Sequence, residues 1–359
     1  MKFSRLQIFL LLVMFIGISN HVILLPHLLE VAKRDAWIAS IIAYFIIMVW
    51  ALFLRRIINK LKQQHLQKWL NVRTGKLIST IIIISISIYI LLIAIIAFND
   101  LINTVQIYFL PRTSIWIIAI PFIIICIWAA SANLKTIVYS ALLLLPFVMV
   151  LGYFVAIATF IEKDYSFLFP IFTKGEEPVL KGIMMVLGAN IDFIILFLLQ
   201  DQMKKQYSYL GLISLITVLT ILILGPTLGS IASFGPYIAS KMRFPAFEQW
   251  RLVMIGQHVS HLDYFAVFQL LSGVFIRLSL CFYLLWNIWN KPSTKLKWTI
   301  IGVIIMTLMV VTAPQNSDIW IQKFTQDYFY YGALIFGVCL TLILVLIGIF
   351  SNKGENTNS

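Results

Sequence analysis

Residues 8–26 read I-F-L-L-L-V-M-F-I-G-I-S-N-H-V-I-L-L-P. The run is apolar and long enough to cross a bilayer, yet Gly17, Ser19, Asn20 and His21 interrupt it near its middle. A uniformly packed helix has no need of that cluster. Gly17 lets the backbone depart from regular winding, and Ser19 and Asn20 can satisfy the peptide groups so released. Residues 181–196, K-G-I-M-M-V-L-G-A-N-I-D-F-I-I-L, repeat the pattern, with Gly188, Asn190 and Asp192 near the centre of another apolar run. The two interruptions lie five spans apart. Broken helices at corresponding positions of two inverted five-helix repeats expose free N–H and C=O groups at the membrane midplane, where they hold a carboxylate, an amine or a small cation. Small-residue helix packing accounts for either interruption alone. The matched pair favours the broken-helix reading, which makes Gly17, Ile18, Ser19, Asn20, His21, Gly188, Asn190 and Asp192 the candidate ligand-binding residues.

The rest of the chain supports a polytopic membrane protein. Of 359 residues, 61% are hydrophobic and 11% charged, against about 45–50% and about 25% in soluble domains. Ten runs meet or approach the roughly 20 residues needed to span the hydrocarbon layer. They cover 7–29, 36–54, 78–99, 113–131, 136–160, 181–200, 208–231, 264–289, 297–313 and 329–350. These long runs exclude a β-barrel, whose strands would alternate over short segments. Lys2 and Arg5 precede the first run without a small-residue cleavage site, so that run reads as a retained span. Cys126, Cys281 and Cys339 lie inside apolar runs and read as buried hydrophobes.

The net charge of +13 would suggest nucleic acid in a soluble protein, but in a membrane protein it marks cytoplasmic loops. With the N-terminus inside and the spans alternating, the inside segments carry a net +14 and the outside segments −1. The positive-inside rule therefore predicts both termini in the cytoplasm. The basic stretch 55–76 is that topology signal; its order also resembles a basic amphipathic surface helix that meets anionic lipid or a cytoplasmic partner. The tail 351–359 reads as disordered.

Two outside connections stand out. Residues 161–180 form an aromatic and acidic loop, and 232–263 a longer, partly apolar one. Within the latter, Pro245 begins a predicted short helix with Glu248 and Arg251 paired at i,i+3 and Phe247, Trp250 and Met254 on an apolar face. It reads either as a cover over the outer mouth or as a simple surface helix.

The remaining polar residues each admit two readings. Asp192 within a span is an amine contact, a proton site or an ion ligand, or else the structural partner of Arg277. Arg277 snorkels or pairs internally. Asn99 and Asp100 are interfacial. His21 lines a vestibule or packs. His258, His261 and Asp263 form H-x-x-H-x-D, which lacks the H-E-x-x-H zinc signature; an external or pH-sensitive contact is preferred to a metal. No P-loop, nucleophile elbow, nucleotide fingerprint or paired-carboxylate site is present. Neither catalysis, nor a metal, nor a cofactor is expected.

The chain resembles the spore germination permease-like family, the B subunits of nutrient germinant receptors. The resemblance rests on S-R-L-Q-I-F at 4–9 and the polar break after it, A-K-R-D-A-W-I at 32–38, F-P-A-F-E-x-x-R at 244–251, L-D at 262–263, and Arg277 in the eighth span. It covers roughly residues 1–350. One departure is H-V-S-H at 258–261, where the family commonly carries F-I-E-R. The resemblance implies the amino acid–polyamine–organocation superfamily and a LeuT-like, all-α fold of ten transmembrane helices. It would form a five-plus-five inverted repeat with discontinuous first and sixth helices, residues 1–160 and 181–350 being the two repeats. It further implies a spore inner-membrane location beside a membrane-anchored A subunit and a C-subunit lipoprotein, with a small nutrient, often an amino acid, as ligand. On the family pattern the first break offers backbone groups to a ligand carboxylate and the sixth contacts its other side, with Phe193 and Ile194 beside the pocket. Glu248, Arg251, Asp263 and Arg277 would hold structural or outer-loop roles. A nutrient sensor is thus the first expectation. A proton- or sodium-coupled amino acid transporter and a structural subunit with a vestigial pocket are the alternatives.

Overall fold

Ser4 starts the bundle. Its side chain accepts from the Gln7 N–H at 3.2 Å, and the Gln7 side chain accepts from the Ser4 N–H at 2.9 Å, a reciprocal cap that satisfies two donors of the first turn. In this computed structural model, which describes residues 2–254, 262–290, 292–313 and 318–350, helices α1 (Arg5–Ile18), α2 (Leu24–Ala32) and α3 (Ala36–Leu61) follow one another closely. As one rod these 57 residues would measure about 85 Å, far more than a bilayer. Lys33, with φ 49° and ψ −122°, turns the chain between α2 and α3. Then come α4 (Leu66–Tyr108), α5 (Ile115–Ala132), α6 (Leu134–Ala158), α7 (Glu177–Ala189), α8 (Ile195–Leu198) and α9 (Tyr209–Ala239). The short α10 (Pro245–Arg251) precedes α11 (Tyr264–Asn287), α12 (Thr294–Val311), α13 (Asp318–Phe324) and α14 (Tyr330–Phe350). Among the described residues, nine helical stretches are long and apolar enough to cross a membrane, the first of them Arg5–Leu61.

Helix α1 lies at the centre. Residues 11–18 are all buried, the pattern of a helix enclosed on every side. It packs against α11, α6 and α9, while α7 packs against α14, α3 and α2. Helices α5, α6 and α12 lie at the rim, with Ile117, Trp128, Leu143, Val150 and Met306 each two-thirds exposed or more, as suits a lipid-facing surface.

The two predicted breaks differ from expectation in kind. No extended gap opens in either span. Ser19–Ile23 is a π-helical turn between α1 and α2, and Asn190–Ile194 is a 3-10 turn between α7 and α8. Ser19 and Ile195 keep right-handed helical torsions, with φ −62° and ψ −42° and φ −58° and ψ −27°, while Asn190 departs from them at φ −86° and ψ 1°. One span is underwound and the other overwound. A change of winding re-registers the i→i−4 ladder without exposing a run of peptide groups, so it interrupts a buried helix at lower cost than unwinding.

Connections predicted on one side meet one another. At what we call the Lys33 end, Arg34 donates to Pro170 O at 3.0 Å, the Phe172 N–H donates to Asp35, Asp164 N–H donates to Ala232 O, and Arg243 bridges Asp100 and Asp318. At the Arg55 end, Phe3 N–H donates to Gln202 O and Lys204 N–H to Phe3 O, both at 2.8 Å. Arg5 and Arg55 reach the carbonyls of Gln206 and Tyr207 there. The basic stretch 55–76 comprises the end of α3, a left-handed turn at Lys62 and Gln63, and a short helical piece from Leu66 that the non-helical Gly75 sets off from the rest of α4. That piece buries Leu66, Trp69 and Leu70 and exposes Lys68, the order of an amphipathic helix.

Gly75 bends α4 with φ 79° and ψ 170°, a region populated essentially by glycine alone. Nothing lies within 4 Å of the place a Cβ would take, so sterics with neighbours are not at issue. Gly75→Ala is expected to lower unfolding stability by about 1–3 kcal/mol through backbone strain alone, read as a shift in the denaturant midpoint at unchanged m value. An unaltered midpoint would show that the bend is not obligatory.

Candidate functional site

The two rewound turns touch. Asn20, in the π turn, donates from Nδ2 to Asn190 Oδ1 in the 3-10 turn at 3.3 Å, and Asn190 Nδ2 donates to Val186 O at 2.8 Å. Both asparagines are buried. A ring nitrogen of His21 lies 2.5 Å from Gly17 O, so this histidine closes on its own helix. Gly17 itself faces Leu219 and Leu222 of α9. The close approach of the sixth span to the tenth depends on two other glycines. A Cβ at Gly188 would fall 2.0 Å from Tyr330 O, and one at Gly337 would fall 2.2 Å from Ile191 Cδ1.

Next to the paired asparagines lies a charged centre. Asp192 is 1% exposed as a side chain and Arg277 3%. Arg277 Nη1 donates to Asp192 Oδ2 at 2.7 Å and to Phe15 O at 2.8 Å, and its guanidinium stands 4.8 Å from the centroid of the Phe15 ring. Tyr89 of α4 donates to Asp192 Oδ1 at 2.7 Å and stacks on Phe336 and Phe329. The first, third, sixth and eighth predicted spans thus converge on one carboxylate. Sequence reasoning found Asp192 and Arg277 but not Tyr89. The signal was a lone phenol in the middle of I-S-I-S-I-Y-I, since a buried tyrosine hydroxyl requires a partner.

Asn20 Oδ1, Arg277 Nε and Tyr330 Oη are buried and find no hydrogen-bond partner among the described residues. Tyr330 is also the edge-on neighbour of His27, ring centroids 5.8 Å apart. His27 lines a cavity of about 540 Å³ at the Lys33 end, together with Pro26, Glu30, Tyr237, Lys241 and Gln326. Arg243 forms part of its wall and is held there by Asp100 Oδ1 at 2.7 Å and Asp318 Oδ2 at 3.1 Å. Burial works against the Arg243 charge, but the two carboxylates outweigh it and hold the guanidinium above its ordinary range. Asn99 and Asn103 donate to Asp318 Oδ1 at 3.2 and 3.0 Å. Asp100 is therefore no loose interfacial residue but one post of a lock joining α4, the α9–α10 connection and α13.

The other predicted residues stand apart from this centre. Glu248 accepts from Tyr108 Oη at 2.7 Å and from Arg251 Nη1 at 3.3 Å, the predicted i,i+3 pair. Phe247 and Trp250 are buried, as expected. Met254 is 64% exposed and lies beyond the end of α10, so it is not part of the apolar face. Asp263 occupies the N-cap of α11 without a side-chain capping bond. His258, His261, the H-V-S-H block and the tail 351–359 lie outside the described residues. Among the described residues no cluster of His, Cys, Asp and Glu has a metal-holding arrangement.

The sequence matches the family described as "Spore germination protein" over residues 2–319. It is 32% identical over 349 residues to spore germination protein XB of Bacillus anthracis, covering 97% of this chain and 98% of that one. It is 28% identical over 250 residues to "Putative spore germination protein YfkT" of Bacillus subtilis (strain 168), covering 69% of this chain and 67% of the relative. With its apolar helices and this match over nearly its whole length, the chain is an integral membrane protein that belongs to the spore germination permease family.

Proposed function

We propose that this chain is the nutrient-binding membrane subunit of a spore germination receptor. In this reading the break at Lys33 makes ten crossings of the nine apolar stretches, arranged as inverted repeats over 1–160 and 181–350. The chain lies in the spore inner membrane with both termini cytoplasmic. The Lys33 end faces outward, and a small nutrient, an amino acid by preference, passes through the 540 Å³ cavity toward the junction of the first and sixth spans. The single observation that carries the reading is the Asn20–Asn190 hydrogen bond, because it joins the two places where helix winding changes. The unpartnered Asn20 Oδ1 and Tyr330 Oη offer polar contacts in the same region. A ligand that spreads or tightens this junction has different affinities for the two arrangements, which is the requirement for a signal. The signal would pass to an A subunit and a lipoprotein C subunit.

Thermal unfolding of the receptor complex in nanodiscs, screened against amino acids, sugars, nucleosides and choline-like amines, tests this. One chemical class is expected to raise the unfolding temperature saturably, by the equivalent of about 2.7 kcal/mol at a hundredfold excess over Kd. Asn190→Val is expected to abolish the response. A flat response to every class in the assembled complex would overturn the reading. Accumulation of the same compound by proteoliposomes holding this chain alone would make it a carrier instead.

A further inference from the structure

The charged centre has a property that the nutrient reading does not use. Gly273 and Arg277 lie one turn apart on α11 and face α1. A Cβ at Gly273 would fall 2.9 Å from Ile18 Cδ1 and 3.0 Å from Ile18 Cβ, so glycine there lets the two helices approach closely. One turn further on, Arg277 reaches Phe15 O at 2.8 Å. That carbonyl is available because the winding changes just beyond it: the Ser19 N–H turns to Ile16 O and Gly17 O instead of taking the i−4 bond to Phe15 O. The freed carbonyl at the C-terminal end of a half-helix, the Asp192 carboxylate and the ring face of Phe15 together make a cation site. In ion-coupled carriers such freed carbonyls, with a carboxylate nearby, bind a diffusible sodium ion or proton. Here the oxygen ligands are already engaged by a guanidinium, whose charge neither dissociates nor titrates in the working range.

We propose that Arg277 is a tethered cation: it permanently occupies the cation site at the winding change of the first span, so that this chain is held together and changes shape without an inorganic co-ion. The local charge closes without a diffusible ion, since one guanidinium faces one carboxylate and the second oxygen of Asp192 accepts from neutral Tyr89. Asp192 is then the anchor of the tether, each of its oxygens already accepting one hydrogen bond within the chain. Removing the side chain would leave a buried carboxylate and a buried carbonyl facing a vacated volume, which are hard oxygen ligands suited to a small monovalent cation. The inference concerns the resting centre and does not depend on which nutrient binds, or whether one does.

The test compares the full-length chain in nanodiscs with Arg277→Ala, and with Arg277→Ala combined with Asp192→Asn. Unfolding temperatures are read in sodium, lithium, potassium and methylammonium chloride against choline chloride at equal ionic strength. The unaltered chain is expected to unfold at the same temperature in all five salts. Arg277→Ala is expected to unfold at a lower temperature in choline and to be raised saturably by one of the small cations. Adding Asp192→Asn should erase that cation dependence. A saturable sodium, lithium or potassium shift in the unaltered chain would overturn the proposal, as would an Arg277→Ala protein equally stable in every salt. If Arg277→Ala does not accumulate, Arg277→Lys and Arg277→Gln decide the matter. Lysine indifferent to the salt and glutamine stabilised by a small cation supports the tether; equal behaviour of the two in all salts contradicts it.

Discussion

Asp192→Asn is expected to lower the unfolding stability of the protein by about 3–5 kcal/mol, the range for removing one partner of a buried ion pair. The expectation follows from geometry. The two side chains are 1% and 3% exposed and 2.7 Å apart, so the substitution leaves the Arg277 guanidinium in a low-dielectric interior without a counter-charge. Asparagine can still accept from Tyr89, so the loss is assigned to the charge and not to the phenol. Tyr89→Phe supplies the contrast. It removes one hydrogen bond to a carboxylate and should cost about 1.5–3 kcal/mol. Replacing both charges at once, as Asp192→Leu with Arg277→Met, should recover much of the loss, because apolar replacement of a buried pair is often near neutral. Equilibrium unfolding of the unaltered chain and the three variants in nanodiscs measures all of these quantities. A double variant no better than the single one would show that the pair is held by more than mutual neutralisation.

Gly188→Val is expected to prevent accumulation of folded protein, and Gly188→Ala to destabilise it by roughly 3 kcal/mol or more, at or beyond the upper end of overpacking effects. The Cβ would sit 2.0 Å from Tyr330 O, 2.8 Å from its carbonyl carbon and 3.1 Å from its Cα. All three are backbone atoms, so no rotamer change relieves the contact, and α7 must move away from the start of α14. That movement would disturb the 3-10 turn carrying Asn190 and Asp192 at the same time. Gly302→Ala is the control. Nothing lies within 4 Å of a Cβ there, and within α12 alanine should be neutral or stabilising by about 0.5–1 kcal/mol. Protein yield and unfolding temperature separate the two outcomes. Gly188→Ala with a normal unfolding temperature would show that the sixth and tenth spans are not held so closely.

Much of this centre is legible in the sequence for a physical reason. A polar or charged residue inside an apolar run is expensive in a membrane, so Asn20, Asn190, Asp192 and Arg277 mark themselves. The form of the interruption is not legible. π and 3-10 turns differ from the α-helix by one hydrogen-bond step and carry no residue signature comparable to a proline or a cap; Gly17 and Gly188 suggested gaps where the chain is only rewound. The Asp100–Arg243–Asp318 lock is hidden for another reason. Its members lie at separate span ends, 143 residues apart for Arg243 and Asp100 and 75 for Arg243 and Asp318, and each looks like an ordinary interfacial charge. Tyr89 falls between these cases, since its hydroxyl demands a partner but does not name one. The basic stretch 55–76 is legible in part: its amphipathic order reappears in the short piece before Gly75, with Leu66, Trp69 and Leu70 buried and Lys68 exposed, whereas the left-handed turn at Lys62 and Gln63 has no glycine to announce it.

The central claim is that the joined turns at Asn20 and Asn190 form the nutrient site. Its most direct test is a nutrient titration of the nanodisc-held receptor complex, comparing the unaltered chain with Asn20→Val for the compound that the thermal screen identifies. Asn20→Val is expected to weaken the Kd at least tenfold, a difference of about 1.4 kcal/mol, with unfolding in the absence of nutrient still cooperative. An Asn20→Val complex that binds the nutrient with undiminished affinity would contradict it.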